Sequence, residues 1–71
     1  MDKWIKTMKE LPPVNEFVLA YIHQLGFRPY MQTVMLVNGE DKFFVDYYGR
    51  EVRNVSHWMP LPEPPQNDFK E

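Results

Sequence analysis

Residues 30–48 read Tyr-Met-Gln-Thr-Val-Met-Leu-Val-Asn-Gly-Glu-Asp-Lys-Phe-Phe-Val-Asp-Tyr-Tyr. Two runs rich in β-branched and aromatic residues flank Asn38-Gly39. Asn-Gly between apolar runs is a hairpin signal, because both residues tolerate a positive φ. The reading is strand 30–37, a turn that Glu40-Asp41 can lengthen, and strand 42–48. Gly49-Arg50 makes a second turn, and a further strand follows over 53–59. Upstream, Phe17 to Leu25 is also strand-like, bounded by Pro13 and Gly26. The spacing therefore predicts a mainly β fold. It is a small antiparallel sheet or open barrel of about four strands.

The first strand is apolar on both sides. Phe17, Leu19, Tyr21 and His23 share one face; Val18, Ala20 and Ile22 share the other. Phe43, Val45 and Tyr47 likewise oppose Phe44, Asp46 and Tyr48. With too few segments to cover two apolar faces, Val18, Ile22, Phe44 and Tyr48 are expected to leave apolar surface to water. A homodimer with Phe44 and Tyr48 near the contact is the predicted solution.

The ends are less regular. Trp4, Ile5, Met8 and Leu11 fit one helical face, yet a short extended piece at Trp4-Ile5 followed by a turn fits as well; the two readings stay open. Four of the seven residues from Met59 to Pro65 are proline. This predicts a polyproline tail that packs back and seals one end of the sheet. Pro62 and Pro65 also have the spacing of ligands for aromatic-lined grooves. The chain is read as one domain over 1–65 with a flexible polar tail over 66–71.

Composition sets further bounds. The 71 residues are 44% apolar and 15% aromatic, with no cysteine and a net charge of −2. Disulfides and thiolate metal sites are excluded, and a tight apolar core must supply the stability. The charge is not that of a nucleic-acid binder, so nucleic acid is not an expected partner. The longest apolar run, Phe17 to Ile22, is far short of the roughly 20 residues of a membrane span. No targeting segment is visible, and a cytoplasmic protein is expected.

Few residues could carry chemistry. His23 and His57 are the only histidines, and Ser56 is the only serine. Adjacent strand residues point to opposite faces, which argues against a Ser56–His57 pair. No glycine-rich phosphate loop is present. The expectation is a non-enzyme without metal or cofactor. The expected interaction surface is Phe44, Tyr48, Arg50 and Arg53. The expected structural anchors are Trp4, His57, Trp58, Pro60 and Pro62.

The ending Val55-Ser56-His57-Trp58-Met59-Pro60-Leu61-Pro62-Glu63-Pro64-Pro65 resembles the signature of a bacteriophage and prophage family, the domain of unknown function 551. Trp4-Ile5, Leu11-Pro12 and Val18-Leu19-Ala20 extend the likeness over about residues 4–65. Ser56 stands where threonine is usual, and Thr7-Met8 depart from the pattern. The resemblance implies phage or prophage origin, a host-cytoplasm setting and no assigned activity. It implies a self-associating or partner-binding module. The leading expectation is an accessory protein that binds a host protein, inhibition of a host defence system being one instance. The alternative is an oligomeric sponge that holds a nucleotide-like ligand between aromatic rings and Arg28, Arg50 and Arg53.

Overall fold

The structure, a computed structural model, describes residues 3–62. The expected polyproline continuation over 63–65 and the polar tail over 66–71 lie outside the described residues.

The described residues form one antiparallel sheet of six strands and no helix. The strands are β1 (Ile5–Lys6), β2 (Phe17–Ile22), β3 (Tyr30–Asn38), β4 (Lys42–Val45), β5 (Glu51–Val52) and β6 (Val55–Pro60), in the order β1-β6-β2-β3-β4-β5. The mainly β, antiparallel reading holds, with six strands in place of about four. The N-terminal segment is the extended alternative: β1 pairs Ile5 with Trp58 and Lys6 with His57, and a turn follows.

The strand expected over 30–37 runs one residue further, to Asn38, and the others are trimmed for local reasons. β2 stops at Ile22, and the chain turns ahead of Gly26, whose φ is +88°. β4 stops at Val45 because Asp46 starts a turn. The strand expected over 53–59 begins only at Val55, after Asn54 at φ 67°, and a separate short strand, β5, precedes it at Glu51–Val52. Asn38 and Gly39 do not use their freedom for positive φ. Asn38 pairs with Lys42, so Glu40-Asp41 lengthen the connection enough to relieve that need.

β5 and β6 run in the same direction, and only Arg53 and Asn54 separate them. In a flat sheet four spacings, about 19 Å, would lie between them. Three residue steps span at most about 11 Å. The sheet must therefore curl until β5, paired with β4, runs on into β6, paired with β2.

Curling decides which face is inside. Val18, Ala20, Ile22, Val34 and Trp58 form the buried cluster, and Ile5, Phe44, Val52 and Val55 pack on it. Register places them on one face: Val18 lies opposite Val34, Ala20 opposite Trp58, Leu36 opposite Phe44 and Phe44 opposite Val52. This corrects the sequence reading, in which Val18, Ile22 and Phe44 were left to water. Val18 and Ile22 are each 1% exposed.

The connection from β1 to β2 lids the core. Pro12 is buried there, and the Trp58 indole Nε1–H donates to the Glu10 carbonyl at 2.8 Å. Asn15, at φ 64°, donates its N–H to the Leu36 carbonyl at 2.8 Å. Trp58 is thus an anchor as expected. Trp4 and His57 are half-buried, each with its ring 6.0 Å from that of Tyr21. Pro60 and Pro62 are exposed, which corrects their assignment as anchors. Pro60 even sits in a strand, opposite Val18, at the very end of β6 where β1 no longer runs beside it.

Candidate functional site

The turn between β4 and β5 is the most tightly specified surface feature. Asp46 is 6% exposed and is the one buried charged residue among those described. Its Oδ1 accepts from the Tyr48 N–H at 2.8 Å and the Arg50 N–H at 2.9 Å; its Oδ2 accepts from Arg50 Nε at 3.0 Å. Its own N–H donates to the Arg50 carbonyl, and its carbonyl accepts from the Gly49 N–H. The Arg50 backbone bond is the chief reason the carboxyl lies below its ordinary pKa. Burial opposes that shift, while the Tyr48 N–H and the Arg50 guanidinium add to it. Gly49 has φ +84°, so the turn needs a residue without Cβ there.

The locked turn presents large side chains to solvent. Tyr47 and Tyr48 are 75% and 78% exposed, with rings perpendicular at 5.7 Å. The Arg50 guanidinium lies 5.4 Å from the Tyr48 ring centroid. Arg53 pairs through Nε with Glu51 at 3.4 Å. Of the four expected interaction residues, the structure brings Tyr48, Arg50 and Arg53 to one end of the molecule. Phe44 is removed from that surface, because it faces the core. Tyr48 lies beyond the end of β4 rather than on a sheet face.

Beside the turn is an open cleft of about 530 Å³. Gln24, Tyr30, Gln32, Arg50, Val52 and Arg53 line it together with the two carboxylates. No local pattern signals that Tyr30 and Gln32 line the same cleft as Arg50 and Arg53, since they meet only through the curl of the sheet. Arg28, the third expected basic group, does not line it. Asp46 did have a signal: aspartate three residues before glycine is a turn pattern.

The Ser56–His57 reading is also corrected. Ser56 Oγ lies 2.9 Å from His57 Nδ1 and 3.3 Å from the Tyr21 carbonyl. Tyr21 pairs with His57 but Ile22 pairs with Val55, so Ser56 is the extra residue of a bulge. A bulge re-aims a side chain that simple alternation would send to the other face. The hydroxyl thus lies within reach of both the imidazole nitrogen and the carbonyl, while His23 is exposed, one step past the Ile22–Val55 pair, with its N–H donating to the Asn54 carbonyl. Among the described residues no group of three side chains could hold a metal ion.

Residues 3–66 match the model of the family described as "Protein of unknown function (DUF551)". The chain belongs to that family. No curated protein and no solved structure matches the chain. Membership covers both the Trp58 anchor and the Asp46 turn, so the curled sheet described here is a structure for a DUF551 domain.

Proposed function

We propose that this DUF551 chain is a non-catalytic binding protein, encoded by a phage or prophage. It engages a host protein in the host cytoplasm through the Asp46–Arg53 end of the sheet. The observation that carries the reading is the turn itself. A buried carboxylate fixes three bonds so that Tyr48 and Arg50 stand exposed in one geometry. Tyrosine and arginine are the residue types enriched at binding hot spots, and a pre-ordered turn loses little entropy on docking. The phage setting rests on the ending Ser56 to Pro65, and interference with a host defence system is one form such binding takes.

The test is capture from host lysate by the full chain. Tyr48→Ala and Arg50→Ala should each lose the captured protein, while the exposed control Lys9→Ala keeps it. Equal capture by all three would overturn the assignment.

The cleft favours a second reading, the small-molecule sponge. Tyr30 offers a ring, and two guanidinium and two carboxamide groups offer donors to a nucleotide-like ligand. Denaturing the purified protein should then release an ultraviolet-absorbing compound. Self-association remains part of the proposal, now through the outer face that bears Leu19, Tyr21, Met31 and Met59.

A further inference from the structure

The β3 strand is paired unequally on its two sides. Its β2 side is paired from Tyr30 to Met35, but its β4 side is paired only from Met35 to Asn38. Among the described residues nothing pairs with Tyr30–Val34 on the β4 side, because β4 ends at Val45 and β5 departs toward β6. The cleft of about 530 Å³ borders this gap, with Tyr30 and Gln32 on one wall and Arg50, Val52 and Arg53 on the other.

Backbone parity shows which groups are free. The Leu36 carbonyl bonds the Asn15 N–H on the β2 side, while the Gly39 N–H bonds the Asp41 carbonyl on the β4 side. Successive residues of a strand turn their N–H and C=O groups to opposite sides. The odd-numbered residues of β3 therefore aim at the β4 side, and in the gap these are Met31 and Thr33. Two residues thus offer two donors and two acceptors along an open edge.

We infer that this edge is a strand-addition site, and that the partner contributes an extended peptide segment carrying carboxylates. This rests on the reading of the Asp46–Arg53 end as a protein-binding surface and names what binds there. An added strand takes its affinity from main-chain bonds and its selectivity from alternating side chains. Occupant residues level with Gln32 turn inward toward Val52, which favours a small apolar group. Those level with Met31 and Thr33 turn outward, on the side of Glu51 and its ion-pair partner Arg53. Arg50 and Arg53 are held through Nε by Asp46 and Glu51, and their side chains are 74% and 78% exposed. Their terminal nitrogens remain for a carboxylate, with the guanidinium already oriented. A second copy fits less well. Pairing β3 with its symmetry mate would bring two Arg50–Arg53 walls together.

The experiment uses the full chain and a fluorescein-labelled heptapeptide of alternating valine and glutamate, with its valine–glutamine counterpart. Anisotropy should saturate with the glutamate peptide and rise less with the glutamine one. Met31 and Thr33 amides should exchange fast in the free protein and slow with peptide bound. Thr33→Pro removes one edge donor that β2 does not use, so the β2 ladder survives. It should weaken peptide binding about tenfold or more with an unchanged far-ultraviolet spectrum. Failure of both peptides to bind overturns the inference. Slow exchange of the two amides without peptide overturns it too. If that protection is independent of concentration, residues 63–71 occupy the edge; if it grows with concentration, a second copy does. Should Tyr48→Ala abolish capture of the host protein while Thr33→Pro leaves it intact, the binding surface stands and strand addition falls.

Discussion

Replacing Trp58 by phenylalanine tests how the core is closed. The indole is 5% exposed, and its N–H holds the β1–β2 connection over the sheet through the Glu10 carbonyl. Phenylalanine keeps the aromatic face but removes that donor. Loss of the bond should cost about 1 kcal/mol. The smaller ring leaves roughly 40 Å³ unfilled, which at about 24 cal/mol per Å³ adds about 1 kcal/mol. A total near 2 kcal/mol is a large share of the ~3–5 kcal/mol that a core of this size supplies. The melting temperature should then fall by about 8–16 °C, at about 4–8 °C per kcal/mol. Urea unfolding followed by far-ultraviolet dichroism gives the free energy. Amide exchange gives the location: the Asn15 N–H, bonded to Leu36 beneath the same connection, should lose protection beyond the global change. A loss under about 0.5 kcal/mol, with Asn15 as protected as before, would show that the connection is held without Trp58.

Asp46 has its pKa lowered in the folded state, so its contribution is present above the unfolded carboxylate value and is lost as pH falls through the folded one. Asp46→Asn should therefore flatten the acid arm of the stability profile below about pH 4, measured by thermal unfolding across pH; an unchanged arm would contradict the bond network. Gly49→Ala places a Cβ at φ +84°, with open space around it, so backbone strain alone should cost about 1–2 kcal/mol in urea unfolding. Leu19→Glu puts a charge at the middle of the outer apolar face; sedimentation of the unchanged chain should show a dimer at high micromolar concentration and the variant a monomer. A clean monomer for both would remove self-association from the proposal.

Much of the fold was legible because turns carry local chemistry. Gly26, Gly49 and the Asn38–Asp41 segment mark real reversals, and the starts of β2, β3 and β4 fall where the apolar runs begin. The ends were harder to read. Asp46-Tyr47-Tyr48 alternates like a strand, but a buried carboxylate satisfied by its own turn outweighs the pairing that two more residues would add. Asn54 could not be read as a break, since a non-glycine residue at positive φ is set by the sheet that it bends between. Of the site, Tyr48 was found through strand alternation, and Arg50 and Arg53 as basic groups beside aromatic rings. Tyr30, Gln32 and the free groups of Met31 and Thr33 were not.

The sequence alone determined the class, the family, the absence of disulfide staples and the role of Trp58. Each of these is a property of composition or of a contiguous stretch. Only the tertiary structure decided which face is the interior. Phe17-Val18-Leu19-Ala20-Tyr21-Ile22 is apolar at every position, so alternation carries no sign, and a one-residue choice inverts every side chain. The choice shows only in the curled sheet, whose closure the two-residue link from Val52 to Val55 requires. In that curled sheet Val18, Ala20 and Ile22 lie inside with Phe44 packed on them, and a gap is left beside β3. Strand order and register are relations between distant segments, and the free edge at Met31 and Thr33 exists only in those relations.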